Sequence, residues 1–132
     1  PSAASSFAGI DAGASARLAL ALAKLHLATW DWDIVTGDVA WNDEHFAILG
    51  LPPSPVVRYE TFAARVHPDD LPLVEARLRA SMDTDAEYHL EYRILRADTG
   101  EQRLVEGHGV IFRDAAGTPV RATGILRDVT ER

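Results

Sequence analysis

Glu87-Tyr88-His89-Leu90-Glu91-Tyr92-Arg93-Ile94 decides the fold of this chain. Apolar and polar residues alternate over eight positions, the signature of a strand with one buried face and one wet face. Working toward the C-terminus, Asp98-Thr99-Gly100 turns the chain, a second strand is predicted from Leu104 to Phe112, and Asp114 to Gly117 supplies another turn. A third strand is predicted from Val120 to Val129, completing a meander. Working back, Leu71, Val74, Leu78 and Met82 recur at helical spacing, with Pro72 in the first turn and an aspartate of His67-Pro68-Asp69-Asp70 expected as the cap. A shorter helix is expected around Thr61 to Val66, turning Phe62 and Val66 inward, and Pro52, Pro53 and Pro55 forbid regular structure before it. Asn42 is expected to cap a helix whose first turn carries Asp43 and Glu44 and which Gly50 ends. Ahead of it, Trp30, Trp32 and Ile34 alternate with Asp31 and Asp33, and Thr36-Gly37-Asp38 leads into Val39 to Trp41, a hairpin. Two strands, three short helices and three more strands give an α+β domain over 29–132, a five-stranded antiparallel sheet with helices on one face.

Residues 1–14 are mostly Ala, Ser and Gly and read as a flexible lead-in. Over 15–28 an amphipathic N-terminal helix is predicted, with Leu18, Leu22 and Leu25 as its stripe and Leu20 and Leu27 widening it. An apolar face that broad needs covering, by the domain's own sheet or by a second chain, in which case these leucines form a dimer helix. The chain begins at Pro1 rather than Met, which reads as a module excised from a larger protein.

Composition narrows the function. At 132 residues, 47% hydrophobic and 25% charged, the chain has the balance of one globular domain. It has no cysteine, which removes disulfides, thiol nucleophiles, thiolate zinc sites and iron–sulfur clusters. A net charge of −7, split −3 and −4 about Val66, opposes binding to phosphate backbones, so no nucleic-acid partner is expected. Leu18 to Thr29 is too short and too interrupted by Lys24 and His26 to span a membrane, and no membrane insertion is expected. Gly107-His108-Gly109 lacks the third glycine of a dinucleotide loop, and no Gly-x-Ser-x-Gly elbow occurs. His26, His45, His67, His89 and His108 fall on five different elements without ligand spacing, so neither a catalytic residue nor a metal site is assigned. His67 beside two aspartates is read as a structural corner rather than an acid/base cluster.

With these elements in place, the chain resembles a PAS domain of the bacterial sensor type. The resemblance rests on Trp30-Asp31-Trp32-Asp33 with Thr36-Gly37, then Ile48-Leu49-Gly50, then Val66-His67-Pro68-Asp69-Asp70. Glu91-Tyr92-Arg93-Ile94, Asp98-Thr99-Gly100, Gly124 and Asp128-Val129-Thr130-Glu131-Arg132 continue it in order. Two positions depart from the pattern: Ala28 stands where relatives often have glycine, and Leu104 where they often have tryptophan. The resemblance implies a sensory or regulatory module, itself non-catalytic, of a cytoplasmic multidomain signalling protein. The parent is expected to be a histidine kinase or a cyclic-dinucleotide enzyme. It further implies that Asp128 and Thr130 hold, by hydrogen bonds, the junction to a C-terminal output domain. Flavin–cysteinyl photochemistry is excluded because no cysteine exists. The long-helix histidine that haem-binding relatives use is missing from Leu71 to Met82, so haem is disfavoured and the cofactor is left unnamed.

Glycines point to where a small ligand would sit. Gly107 and Gly109 omit side chains on one face of a strand, and Gly124 does so on a neighbouring strand. Either an aromatic of the domain packs into that space or a ligand groove occupies it. Trp32, Phe46, Phe62, Tyr92 and His108, together with those three glycines, are the cavity candidates. A ligand-free homodimerisation module and a haem- or small-molecule-binding receptor are the two alternatives to a relay.

Overall fold

The computed structural model describes residues 12–132. Helix α1 (Ala12–Lys24) is followed by strands β1 (Ala28–Asp33) and β2 (Asp38–Trp41), helix α2 (Asp43–Leu49) and strand β3 (Val57–Arg58). Helices α3 (Tyr59–Ala63) and α4 (Leu71–Asp83) lead to the meander β4 (Tyr88–Leu95), β5 (Gln102–Arg113) and β6 (Pro119–Asp128). Among the described residues the sheet has six antiparallel strands in the order β3-β2-β1-β6-β5-β4, one more than the five predicted. The sixth is β3, two residues after the prolines that extend the edge through Asp38 opposite Arg58 and Val39 opposite Val57. Two residues carry no periodicity, which is why β3 escapes a pattern search.

The meander closes on β1 because the register matches the pleat. Trp30 stands opposite Gly124, Gly124 opposite Gly109, and Gly109 opposite Tyr88, a row that crosses four strands on one face. That inner face carries Ala28, Tyr88, Leu90, Tyr92, Ile94, Val105 and Leu126, all buried, and α2 and α4 lay Ile48, Leu49 and Val74 against it. Ala28, fully buried, stands on this face at the first of the two departures from the family pattern.

Local chemistry sets the helix ends. The Asn42 side chain accepts from the His45 N–H (3.1 Å) and the Thr29 N–H (3.0 Å) and donates to the Leu27 carbonyl (3.1 Å), tying the start of α2 to β1. Gly50 ends α2 in the left-handed region at φ 71°, and a Cβ there would collide with the Asp98 carboxylate. Arg96 donates to the Ala47 (2.8 Å) and Ile48 (3.2 Å) carbonyls near the end of the same helix. Asp70 departs from expectation: it stands at the start of α4 without a side-chain capping bond. Its carboxylate instead accepts from Arg93 Nε (2.9 Å), Nη2 (2.7 Å) and backbone N–H (2.8 Å), a forked pair that pins the helix to β4. The His67 ring stays a corner, its Nδ1 accepting from the Asp69 N–H at 3.1 Å.

Helix α1 spans Ala12–Lys24 where 15–28 is predicted, so Leu25 and Leu27 of the expected stripe lie beyond its end; the rest of the expected lead-in lies outside the described residues. Leu22 is half-buried, but Leu18, Leu20 and Leu25 are exposed, so the domain's own sheet does not cover the leucine stripe.

Candidate functional site

Between the inner face of the sheet and α2, α3 and α4 lies an aromatic cavity of about 60 Å³. Trp30 and Trp32 enter it from β1, Trp41 from β2, Tyr88 and Tyr92 from β4, and Tyr59 and Phe62 from α3, so all three tryptophans of the chain line it. Parity explains the convergence: the β1 pair is two residues apart and the β4 pair four, so each pair shares a face. The rings brace one another. Trp30 meets Tyr88 edge-on at 5.9 Å, Trp32 stacks on Tyr59 at 6.0 Å, and Phe62 meets Tyr92 edge-on at 6.0 Å.

Gly107, Gly109 and Gly124, expected to line the cavity, lie beneath it and not in its lining, because Trp30 fills most of the space that Gly109 and Gly124 leave. A Cβ on Gly109 would stand 2.6 Å from the Trp30 indole, and one on Gly124 2.5 Å from it. Gly107 differs, since a Cβ there meets the Tyr88 and Tyr92 rings at an ordinary 3.5 Å. An aromatic of the domain therefore accounts for Gly109 and Gly124.

Two residues that line this cavity each carry a buried polar atom with no protein partner. Among the described residues, the buried side-chain nitrogens Trp32 Nε1 and His45 Nδ1 make no hydrogen bond, as does Ser81 Oγ elsewhere. His45 is 1% exposed and stacks on Trp41 at 4.2 Å. Burial drives its pKa down to about 3, leaving a neutral imidazole with a free nitrogen. Burial likewise raises the pKa of Tyr88 and Tyr92, and burial with the Glu75 hydrogen bond raises that of Tyr59. The Tyr59 hydroxyl donates to Glu75 at 2.9 Å, bridging α3 and α4. A wider surface groove shares Trp32, Tyr59 and Leu78 with the cavity.

Of the residues singled out in the sequence, Trp32, Phe62 and Tyr92 line the cavity. Phe46 is buried behind it, edge-on to Trp41 at 5.2 Å. His108 pairs with His89, on the sheet face opposite that of its neighbours Gly107 and Gly109, and is corrected out of the cavity. His45, Trp41, Tyr59 and Trp30 were missed. Trp30 shares parity with Trp32 and was legible on that ground; His45 was not, because helical spacing alone does not reveal a polar residue turned inward. A cavity of about 60 Å³ takes a few heavy atoms, well short of the several hundred Å³ of an ordinary ligand pocket.

Strand β6 leads from beneath the cavity to a compact clamp. Asp128 Oδ1 accepts from the Thr130 hydroxyl (2.6 Å) and N–H (3.0 Å), and Asp128 Oδ2 accepts from Arg103 Nε (2.8 Å). Thr130 Oγ1 accepts from the Leu104 N–H (2.9 Å), while buried Val129 donates its N–H to the Leu104 carbonyl (2.8 Å). Beyond it Arg132 pairs with Glu91 on the outer sheet face.

Comparison with known proteins fits this architecture. The sensor protein FixL of Bradyrhizobium diazoefficiens is 29% identical over 80% of this chain and 21% of its own length. A blue-light-activated histidine kinase of Brucella anthropi is 31% identical over 78% and 20%. The chain thus spans about a fifth of these relatives. A sensory box histidine kinase/response regulator of Burkholderia thailandensis superposes with a TM-score of 0.76 at 29% identity, covering 88% of this chain and 86% of the solved one. The family model described as PAS fold matches residues 38–126, from β2 through the glycine row to the end of the core in β6, and the chain belongs to the PAS fold family.

Proposed function

We propose that this domain is the sensory module of a multidomain signalling protein, in which the occupancy of the aromatic cavity is passed along β6 to a C-terminal output domain. The observation that carries the reading is the pair of buried, unpartnered nitrogens, Trp32 Nε1 and His45 Nδ1, on two residues that line an aromatic pocket. Leaving such groups buried without a partner costs about 1–3 kcal/mol each, a cost that a small ligand with an acceptor toward the indole N–H relieves. The ligand is a compact, mostly apolar molecule of few heavy atoms, and haem and flavin lie outside the reading. In this reading the domain itself acts by binding and relay, and catalysis belongs to the output domain.

The relay follows from where Trp30 lies. It rests on Gly124, four residues before Asp128, so a ligand that lifts the indole changes the packing of the strand that ends in the Asp128–Thr130 clamp. A clamp of this kind has two arrangements, bonded or released, and the ligand biases the choice between them. The output is a histidine kinase or a cyclic-dinucleotide enzyme, in the cytoplasm where its nucleotide is available. No helix among the described residues is long and apolar enough to cross a membrane.

Native mass spectrometry and an absorption spectrum of the purified chain, with tryptophan emission as a reporter of all three indoles, test the cavity. A retained small molecule whose removal shifts the emission supports the reading. Emission indifferent to every bound species overturns it. In the full-length protein Thr130→Val should alter output while the domain stays folded; unchanged output removes the junction role.

Leu18 on α1 and Leu25 just beyond it are exposed, which favours a second reading, a homodimer paired through Leu18, Leu22 and Leu25. Light scattering of the whole chain should then give a dimer, and removal of residues 1–27 a folded monomer. A dimer that persists without them excludes this version.

A further inference from the structure

The outer face of the sheet, opposite the cavity, gathers three side chains that sequence spacing kept apart. The β4–β5 register sets His89 directly opposite His108, and Glu106 follows on the same face two residues before it. The imidazoles stack 4.0 Å apart at 14°. Both turn Nε2 toward one carboxylate: His89 Nε2 lies 3.1 Å from Glu106 Oε2, and His108 Nε2 lies 3.5 Å from Oε1. One donor atom from each residue falls within 4.8 Å of the other two. Ligands held tetrahedrally by metal bonds of about 2.0–2.1 Å stand about 3.3 Å from one another; the two imidazole-to-carboxylate distances, 3.1 Å to Oε2 and 3.5 Å to Oε1, bracket that spacing, and the stacked rings turn about their side-chain torsions to aim both Nε2 lone pairs at one ion. We propose that His89, Glu106 and His108 bind a divalent transition-metal ion of the zinc type on the outer sheet face, with water completing the coordination.

The chemistry and the setting agree. Two imidazoles and a carboxylate suit zinc and its neighbours rather than magnesium or calcium, which take oxygen. Paired strands hold the ligands, which favours a fixed geometry. The His89 and His108 side chains are 48% and 36% exposed, so an ion reaches them without the fold opening. On loading, a neutral imidazole that carries its proton on Nε2 shifts tautomer, the proton passing through solvent to Nδ1, so that the Nε2 lone pair takes the metal. Arg127 Nη2, 2.8 Å from Glu106 Oε1, is the cation an ion must displace or share with. Glu91, which holds Arg132, stands directly opposite Glu106, so the site neighbours the anchor of the residues that follow β6.

Titration calorimetry of zinc chloride into the tag-free chain tests the proposal, with cobalt(II) visible absorption reporting coordination. One ion per chain is expected, with cobalt bands of tetrahedral intensity. His89→Ala and His108→Ala should each weaken binding by at least about tenfold, by comparison with losses seen at supporting residues alone. His108→Gln, which keeps bulk on the strand, should weaken it equally with unchanged circular dichroism, and the double variant His26→Ala, His67→Ala should bind as the parent does. Absence of one-to-one binding, or binding unaffected by His89→Ala and His108→Ala in folded protein, overturns the assignment and leaves an ordinary ion-pair cluster.

Discussion

The two faces of this sheet hold polar groups in opposite ways. On the inner side His45 sits in a dry aromatic setting, and burial alone pushes its pKa down to about 3. On the outer face Glu106 is also shifted down, to about 2, but by partners: the His89 hydrogen bond first, then Arg127. Inside, a group is altered by lost water and left with an unused nitrogen; outside, it is altered by gained bonds. The inner face therefore offers a ligand an unpartnered group, while on the outer face an ion has to compete with the bonds that Glu106 already makes to His89 and Arg127. The same difference governs tolerance, since interior contacts are fixed by ring volume and exterior ones by flexible charges.

The largest effect should come from filling the glycine row. Gly109→Ala and Gly124→Ala each drive a methyl group into the Trp30 indole, and the second also into the His108 carbonyl oxygen. Overpacking of this kind costs about 1–3 kcal/mol, and Gly124→Ala should stand at or above the top of that range because backbone yields less than a ring. Gly107→Ala, whose Cβ meets only ordinary ring contacts, should change stability by no more than about 1 kcal/mol. Urea unfolding of the three variants measures the contrast. Equal losses at all three would show that strand glycine itself, and not Trp30, sets the requirement.

Much of this row was legible in the sequence. Glycines two apart on a strand announce a missing face, and alternation fixed which face Tyr88 and Tyr92 share. What fills the space was not legible, because Trp30 and Gly109 meet only through the register of β1, β6 and β5, and register is a long-range property. The same limit hid His89, Glu106 and His108 from a search for ligand spacing. Asp70 failed differently: an aspartate before a helix is a good cap in isolation, but Arg93 from β4 offers three donors to the same carboxylate. His45 shows the reverse, a polar residue that tertiary packing buries where local pattern would leave it wet.

His45 provides the next effect. Its folded pKa lies below the ordinary 6.5, so the unfolded chain takes up a proton that the folded chain refuses. Stability is then complete above about pH 6.5 and falls as the pH drops toward 3, by about 1 kcal/mol between pH 6 and 5. Asp70 and Glu106, both held near 2, lose stability in the same direction but only below their unfolded values of 3.8 and 4.5. The interval from pH 6.5 to 5 therefore isolates the inner face. His45→Phe, which keeps the stack on Trp41, should flatten the slope there and leave the acid limb below pH 4.5 in place. A slope that survives the substitution would assign it to another group.

The smallest effect belongs to the outer face. Arg121 Nε donates to Asp31 Oδ1 at 2.7 Å, joining β6 to β1 across 90 residues of sequence. The pair looks strong by geometry, yet the Arg121 side chain is 59% exposed and that of Asp31 34%, so water and salt screen most of the attraction. Backbone bonds between β1 and β6 already fix the strands, and the side chains add little to a register set from Ala28 to Asp33. Arg121→Ala should leave the urea midpoint unchanged within error at physiological salt, with a small loss emerging only at low ionic strength. A large, salt-independent loss would mean that this pair, and not the aromatic row beneath it, locks β6 to β1, and the relay would then run through the outer face.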